Sequence, residues 1–392
     1  MEQPRRHVIV AGGGPAAVET ILALQALSGQ RLEVELLAPN AELALAPYEV
    51  MAPFREGHER RYPLTRIASD AGAGLVADSI SGVDPERHVV ITRSGAERSY
   101  DTLVVAVGAR RVDTVAGAHP FRGARDAGRL KTLLAESDSG RHVRVAFVVP
   151  AGVTWPLPLY ELALHTAAWL AERGIGPVPL TFVSPESDPL AVFGRSVSEE
   201  VASLLEQHGV TFLRAHPVRL HERRLLLMGG DELEVDVAFA VPRLEGPRIA
   251  GLPCDEDGFL PIDEFGRVRG AADVFAAGDA ADFPVKQGGL AAQQADVIAQ
   301  RISADAGADV ESSPFSPVLR ARLFAGREQR YLHRELEDER EHASIASADA
   351  LWSPPYKLAG QYIAPYLTRL DEERAGDPGP SGDAPVSSGQ GA

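Results

Sequence analysis

The amino-acid sequence predicts an α/β protein built from two nested βαβ units and a small C-terminal region. An apolar strand, a glycine turn and a helical pattern open the chain, and a second such cycle begins at His142. A later strand, which ends in Gly278-Asp279, returns the chain to the first unit. With 392 residues the chain is long enough for two or three domains with separate cores.

The first unit is predicted from the spacing of apolar residues, which changes from the continuous run of a strand to helical spacing and back. Strand His7–Ala11 leads through glycines to a helix at about 16–27 and then to strand Leu32–Ala38. A Pro-rich loop, a small helix and further β segments follow, at 74–80, 88–92 and 102–106. Strand Val274–Ala277 and a helix over 290–304 complete this unit.

The second unit repeats the pattern and is predicted to be inserted into the first. Its segments are strand 143–149, helix 159–172, strand 179–183, helix 196–208 and strand 210–213, with returning β segments at 223–227 and 235–240. We therefore expect a discontinuous first domain (1–115 and 241–310), a second domain (116–240) and a C-terminal cap or interface region (311–374). The tail 375–392 is rich in Gly, Pro and Ser and is expected to be disordered.

Composition argues against several classes of function. The formal net charge of −16 disfavours nucleic-acid binding, which needs a basic surface. No apolar run of about 18 residues predicts a transmembrane helix, and the N-terminus does not resemble a signal peptide. We expect a cytoplasmic protein, with peripheral membrane contact left open. The single cysteine, Cys254, has no partner within the chain, which excludes an internal dithiol relay. No metal site is predicted.

The strongest local motif follows the first strand. Gly12, Gly14 and Ala17 match the pattern G-x-G-x-x-G/A, directly between a strand and a helix. In that pattern the first glycine permits a tight turn, the second lets backbone approach a pyrophosphate, and the small third residue lets helix pack on strand. The start of the helix, at Pro15 and Ala16, then faces the phosphates. We expect a dinucleotide at this turn.

Two later strand ends extend the predicted nucleotide site. The strand over 102–106 runs into Val107 and Gly108, and these small residues let a loop lie against a nucleotide. The strand over 274–277 is followed by Gly278 and Asp279, whose carboxylate is suited to accept a hydroxyl hydrogen bond.

The adenosine end of the site is less well defined. The acidic residue that usually ends the second strand of a dinucleotide-binding unit is missing, and the chain has Pro39-Asn40 there. Asn40 either holds the ribose or only shapes the turn after Pro39.

Together these segments resemble the flavoproteins of the pyridine nucleotide–disulfide reductase superfamily over about residues 1–310. Within it the chain is similar to the branch of sulfide:quinone oxidoreductases and type II NADH dehydrogenases. That similarity lies in Val34–Asn40 with the following Pro47-Tyr48, and in Val285–Ala295. The resemblance implies two Rossmann-like domains, the first binding FAD and the second of the NAD(P)-binding type.

The resemblance also implies a set of FAD contacts. They are Gly12, Gly14, Pro15, Ala16, Ala17, Asn40, Ile80, Ala106, Val107, Gly108, Gly278, Asp279, Gly289 and Leu290. Ile80 would lie near adenine, Asp279 would hold the ribityl chain, and the helix that opens at Leu290 would face the isoalloxazine ring. Lys286 and Tyr48 would lie near the ring, with Lys286 stabilising negative charge on reduced flavin. The alternative is that Lys286 is a solvated loop lysine.

The second unit departs from a nicotinamide-binding pattern. After strand 143–149 the loop contains one glycine and three prolines instead of a second G-x-G-x-x-G. Prolines donate no N–H to a pyrophosphate, and Trp155 is bulky where backbone should come close. These features argue against NAD(P)H in the usual mode but leave it as an alternative. Glu186, just past the next strand, either holds a ribose or is exposed to solvent.

The same loop resembles that of sulfide:quinone oxidoreductases, with a tryptophan in place of a redox cysteine. The residues that match the pattern of that loop are Gly152, Pro158, Tyr160 and Glu161. Trp155 stands at the position of the cysteine. Sulfide oxidation through a cysteine pair is therefore not supported. Tyr160 and Glu161 are candidates for substrate contact or proton transfer. Trp155, Pro156 and Tyr160 either line a substrate pocket or close the core of the second domain.

The C-terminal region is rich in aromatic residues between Trp352 and Leu367. In related enzymes this region covers the flavin, forms a dimer contact or touches a membrane around a quinone site, so a homodimer is left open. An apolar face at helical spacing is formed by Ile363, Tyr366, Leu367 and Leu370.

Three functions remain open from the sequence. The first is an FAD-dependent oxidoreductase that passes two electrons from an unidentified small donor to a quinone or another small acceptor. The second is an NAD(P)H:acceptor oxidoreductase with an altered nicotinamide loop. The third is a flavoprotein whose second domain binds a partner protein.

Overall fold

The computed structural model describes residues 5–54, 60–138, 140, 143–176, 178–336 and 344–376. Its helices are α1 (Pro15–Ser28), α2 (Ala46–Glu49), α3 (Leu64–Asp70), α4 (Ala127–Asp138), α5 (Leu157–Glu172), α6 (Arg195–Gln207), α7 (Gly288–Asp305) and α8 (Ile363–Gly376). Its strands are β1 (Arg6–Ala11), β2 (Leu32–Leu37), β3 (Glu42–Ala44), β4 (Arg61–Pro63), β5 (Gly74–Val76), β6 (Ile80–Asp84), β7 (Val89–Thr92), β8 (Glu97–Ser99), β9 (Thr102–Val105), β10 (Arg110–Val112), β11 (His119–Pro120), β12 (Val145–Val148), β13 (Leu180–Ser184), β14 (Val210–Arg214), β15 (Pro217–His221), β16 (Arg224–Leu227), β17 (Glu232–Glu234), β18 (Val237–Ala240), β19 (Arg243–Glu245), β20 (Val274–Ala276), β21 (Val318–Ala325), β22 (Glu328–Glu335) and β23 (Ser344–Ser347).

The first unit is a five-stranded parallel sheet in the order β20-β9-β1-β2-β5. Residues 8–11 of β1 and all of β9 and β20 are buried because helices and loops cover both faces of the sheet, as a parallel sheet requires. Helices α1 and α7 pack against each other on one face. Since the strands are parallel, the carboxyl ends of β1, β9 and β20 meet at one edge, which brings Gly12, Ala106 and Gly278 together.

The second unit is also a five-stranded parallel sheet, in the order β11-β18-β12-β13-β14. It is inserted between β9 and β20, and the antiparallel pair β10/β19 carries the chain out and back. The two nested Rossmann-like units expected from the sequence are therefore present.

One predicted strand lies outside the second parallel sheet. The segments 223–227 and 235–240 were expected to return the chain towards the first unit, and the first of them, β16, forms a separate antiparallel sheet with β15 and β17. Only Leu225 and Leu227 of this strand are buried, an alternation that suits an antiparallel sheet with one face in water.

The C-terminal region consists of an antiparallel sheet, β21-β22-β23, followed by α8. Leu319 and Leu323 on the inner face of β21 join the core that also contains α5. Helix α8 buries Ile363, Leu367 and Leu370 in the core of the first unit, which is the face predicted from their spacing. The charged stretch after β22 and nearly all of the Gly-, Pro- and Ser-rich tail lie outside the described residues.

Among the residues that the structure describes, no helix combines the length and apolarity needed to cross a bilayer.

Candidate functional site

A single cavity of about 1140 Å³ follows the carboxyl edge of the first sheet. It begins at the glycine turn after β1 and passes the end of β9 and the Gly278-Asp279 turn. It then reaches the start of α7, the loop before α5 and the segment before α8. Gly14 and Asp279, which the sequence predicts to lie along one cleft, both line this cavity.

The glycine turn brings two strand ends close and leaves space above the helix. A Cβ on Gly12 would lie 2.1 Å from the carbonyl oxygen of Ala106, and the backbone there has φ +136°. Only glycine permits this approach. Gly14, which precedes α1 at φ −90°, would place a Cβ in open space, with nothing within 4 Å. Gly12 therefore serves the fold, whereas Gly14 leaves room for a ligand.

The Gly278-Asp279 turn is held from α7 and presents an acid to the cavity. Gln294 accepts a 2.7 Å hydrogen bond from the Gly278 N–H. No described residue donates a hydrogen bond to the Asp279 carboxylate, which lines the cavity. Burial raises the pKa of Asp279, and the positive charges of Lys286 and Arg111 oppose that rise.

Lys286 lies in the cavity wall and is not a solvated loop residue. Its ammonium group is 3.7 Å from the centre of the Phe259 ring and donates a hydrogen bond to the carbonyl of Ala281. Burial lowers the pKa of Lys286 to about 8, and Asp279 opposes that change most strongly. The lysine is thus positively charged at neutral pH, next to the acid of the Gly-Asp turn.

The N-terminus of α7 faces the cavity. Gln287 caps the helix by accepting a 2.7 Å hydrogen bond from the Leu290 N–H, and its side chain donates to the carbonyl of Arg320 at 3.0 Å. The cavity wall is formed by Gln287, Gly288 and Ala291. Gly289 and Leu290, the two positions named from the sequence, are buried beside that wall.

The far end of the cavity holds a buried ion pair. The ammonium of Lys357 lies 2.7 Å from both carboxylate oxygens of Glu161. Their side chains are only 3% and 1% exposed. One Glu161 oxygen also accepts the Phe324 N–H at 2.9 Å. Burial raises the pKa of Glu161 and lowers that of Lys357, while their mutual attraction opposes both changes.

Lys357 was not among the site residues predicted from the sequence. Two signals pointed to it: it is one of only three lysines, and it stands in the aromatic-rich C-terminal segment. It also touches a residue that was predicted, because its N–H donates to the Tyr48 hydroxyl at 3.3 Å. Tyr48 lies behind the cavity wall, with the Arg60 guanidinium 4.8 Å from its ring centre.

Tyr160 requires a correction. It was expected to contact substrate, but its side chain is fully buried in the second unit and does not line the cavity. Its ring stacks on Phe182 at 3.9 Å, and its hydroxyl donates to Glu186 at 2.8 Å. Glu186, for which a ribose contact or solvent exposure was expected, is partly buried and also accepts a hydrogen bond from Ser184 at 2.9 Å.

Trp155 lies between the cavity and the core of the second unit. The side chain lines the cavity, and its ring centre is 5.8 Å from that of Phe193 in the core of the second unit. It thus closes the core on one side and forms a wall of the cavity on the other.

The remaining predicted cofactor contacts are close to one another. Those that line the cavity are Gly12, Gly14, Pro15, Ala16, Asn40, Ile80, Ala106, Val107, Gly108, Gly278 and Asp279. Ala17 is buried beneath the glycine turn, where its small side chain lets α1 approach the sheet. Arg93 lines the same end as Ile80 and was not predicted. Cys254 is exposed on the surface.

Known structures share this architecture. The sulfide:quinone oxidoreductase of Aquifex aeolicus superposes with a TM-score of 0.79 over 96% of this chain and 93% of that chain, at 18% sequence identity. A putidaredoxin reductase in its covalent complex with putidaredoxin superposes with a TM-score of 0.63 over 85% of this chain and 82% of that chain, at 18% identity. At these identities the likeness is one of fold.

Sequence comparison gives distant relatives. The chain is 25% identical over 266 residues to the sulfide-quinone reductase of Aquifex aeolicus (strain VF5), which covers 64% of this chain and 61% of the relative. It is also 25% identical over 241 residues to a type II NADH:quinone oxidoreductase of Staphylococcus aureus (strain NCTC 8325 / PS 47), covering 56% and 58%. The chain thus spans about three fifths of the length of these relatives.

A family model extends across both nested units. The model for the pyridine nucleotide-disulphide oxidoreductase family matches residues 6–299, which run from β1 into α7. This range contains the glycine turn, the Gly278-Asp279 turn and Lys286. The chain therefore belongs to the pyridine nucleotide-disulphide oxidoreductase family.

Proposed function

We propose that this protein is an FAD-dependent oxidoreductase that passes two electrons from a small donor to a quinone or another small acceptor. The observation that carries the proposal is that Gly14 and Asp279 line the same cavity. A dinucleotide needs a phosphate site at a helix N-terminus and polar contacts further along, and the two ends of this cavity offer both.

The residues of the cavity fit FAD. The open face at Gly14 would receive the pyrophosphate, and the Asp279 carboxylate, which no described residue satisfies, would accept ribityl hydroxyls. Val107 and Gly108 would lie along the cofactor. When bound, FAD supplies the two-electron redox chemistry, and the protein supplies binding, orientation and charge.

Two features of the chain would control charge and protons at the ring. Lys286 and the N-terminus of α7 provide positive potential on one wall, which favours negative charge on a bound group. The Glu161–Lys357 pair also lines the cavity and is buried, so it can hold a proton close to a substrate without exposing it to water.

The second unit does not suit NAD(P)H as the donor. The acid that follows the second strand of a nicotinamide-binding unit normally holds a ribose. Here that acid, Glu186, already accepts hydrogen bonds from Tyr160 and Ser184. Trp155 and two prolines occupy the turn where pyrophosphate would approach backbone N–H groups. A donor other than NAD(P)H therefore fits better, and NAD(P)H remains the second candidate only through the altered loop.

A quinone suits the apolar part of the cavity. Phe121, Trp155, Leu157 and Phe283 contribute to its walls, and aromatic side chains of this kind stack on planar rings. The relatives named above act on quinones according to their names. A lipid-soluble quinone would require the protein to contact a membrane from the cytoplasmic side.

The test is purification followed by anaerobic reduction. We expect a yellow protein with the absorption of bound flavin, which NADH and NADPH do not reduce; sulfide and quinols are the small donors to be compared with them. Oxidation by a soluble quinone would then complete the cycle. A colourless protein that cannot be reconstituted with FAD would contradict the proposal, and rapid reduction by NADH would favour the second candidate.

A further inference from the structure

Two carboxyl groups are buried together between the helices of the first unit. Glu19 on α1 is 0% exposed and Asp296 on α7 is 8% exposed. Both helices begin at the cavity, but these two residues lie further along them and do not line it. Burying two negative charges side by side costs much free energy unless one of them is neutral.

Glu19 binds the chain at the start of α8. Its carboxylate accepts the Tyr362 N–H at 2.8 Å and the Ile363 N–H at 2.5 Å. These N–H groups have no partners inside the helix, and the positive end of the helix dipole favours an anion there. Glu19 is therefore the charged member of the pair.

The segment bound by Glu19 leads directly to the cavity. A Cβ on Gly360 would lie 2.9 Å from a Glu19 oxygen and 2.4 Å from Ile363 Cγ2, so the chain passes close to the acid. Lys357 and Leu358, just before this glycine, line the cavity. The position of Lys357 opposite Glu161 thus depends on how firmly Glu19 holds the segment.

Asp296 has the surroundings of a neutral acid. Its Oδ1 atom is buried and has no hydrogen-bond partner among the described residues. Burial, with the nearby negative charge of Glu19, raises the pKa of Asp296 to about 10. Burial also raises the pKa of Glu19, and its hydrogen bonds to Asp296 and to backbone oppose that rise. Tyr362 is another titratable group that faces them, and the strongest influences on the pKa of either acid in the described residues include no cation.

We propose that Asp296 carries a proton that it donates to Glu19, and that this shared proton positions the C-terminal segment that brings Lys357 to the cavity. Both acids are positioning residues, since neither touches the cavity. The structural part of this inference holds without any cofactor, and only its effect on turnover rests on the proposed function.

The proton itself is tested by the variant Asp296→Asn, whose amide still donates a hydrogen bond but cannot ionise. In the wild type the folded chain keeps a proton that the unfolded chain loses above pH about 4, so stability falls as pH rises towards about 10. The variant lacks this loss. We expect the melting temperature of Asp296→Asn minus that of the wild type to increase steadily from pH 6 to pH 9. A constant difference across this range would overturn the proposal.

The positioning role is tested by hydrogen exchange of residues 357–366 at pH 7. Asp296→Ala removes the donor, and Glu19→Gln removes the anion. We expect each to speed exchange in this segment about tenfold or more, with no comparable change in the second unit. Asp296→Asn should keep the protection of the wild type. If Asp296→Asn loosens the segment and Glu19→Gln does not, the proton is on the other acid and the proposal fails.

These measurements separate the inference from the proposed function. Melting and exchange need no turnover, so a purified protein that lacks flavin would contradict the proposed function and leave both readouts interpretable. Conversely, a flavoprotein that reduces quinone but shows a pH-independent effect of Asp296→Asn would retain the function and lose the shared proton.

Discussion

The two βαβ units of this chain share one frame but differ at the turn between strand and helix. In the first unit the turn is glycine, and a side chain at Gly14 would stand in open space. In the second unit the corresponding loop carries Trp155, whose ring packs against Phe193. The comparison shows that a parallel sheet with its helix does not by itself make a nucleotide site. The few residues of the turn decide whether a ligand can approach.

The helix N-termini differ in the same way. Helix α1 follows Gly14 directly, and its first turn lines the cavity. Helix α1 has one proline at its start, Pro15, whereas α5 starts at Leu157 between two prolines and so has fewer N–H groups to offer an anion. The strand-end acid of the second unit is bound by Tyr160 from the first turn of α5. The second unit thus fills its own potential site with side chains, and it contributes Trp155 and Glu161 to the cavity wall.

The largest effect is expected from Gly12→Val, which would break the open turn of the first unit. The added Cβ would meet the Ala106 carbonyl at 2.1 Å, so we expect a loss of about 4 kcal/mol in the free energy of unfolding. Gly14→Ala is the matched control: it should leave the melting temperature nearly unchanged and lower the flavin retained on purification. Equal melting temperatures for the two variants would show that the close approach at Gly12 is not needed.

The next largest effect concerns Glu161, the acid that the second unit contributes to the cavity wall. Glu161→Gln should leave the Lys357 ammonium buried without its counterion and cost about 3–5 kcal/mol of stability, measured by denaturant unfolding. Adding Lys357→Met should restore much of that stability but not the turnover. If the double variant recovered full activity, the pair would have no role beyond packing.

Lys286→Met sharpens the assignment of the first unit as the redox site. Because the pKa of Lys286 is about 8, the lysine is charged at pH 7 and loses its charge as pH rises through that value. We expect the variant to lower the two-electron flavin midpoint potential by about 30 mV at pH 7, with a smaller difference at pH 9. The exposed Lys131 gives the control, since Lys131→Met should leave the potential unchanged. A potential that does not respond to Lys286→Met would place the ring elsewhere.

The smallest effect is expected from Tyr160→Phe in the second unit. The change removes the hydrogen bond to Glu186 and should cost about 1–2 kcal/mol of stability in thermal unfolding. Because Tyr160 does not line the cavity, kcat should stay within the error of the wild-type value. A clear drop in kcat without loss of stability would return Tyr160 to the substrate site.

The fold, and the grouping of the glycine turn with the Gly278-Asp279 turn along one cavity, could be predicted from the sequence because their signals are local. The glycine pattern, the apolar period and the Gly278-Asp279 turn each span only a few residues. The partner of Glu161 could not be predicted, since Lys357 is 196 residues away and belongs to no motif. Tyr160 was misplaced for a geometric reason. Neighbours on a helix point about 100° apart, so Glu161 faces the cavity while Tyr160 turns into the core.

The solitary thiol offers a practical route to following cofactor loading. Cys254 is solvent-accessible and is the only cysteine of the chain, so a maleimide dye would attach at one defined point without any engineering. Its neighbour Asp255 belongs to the cavity wall. A fluorophore at that point would sit close enough to a yellow chromophore for energy transfer, and its quenching would report binding in real time.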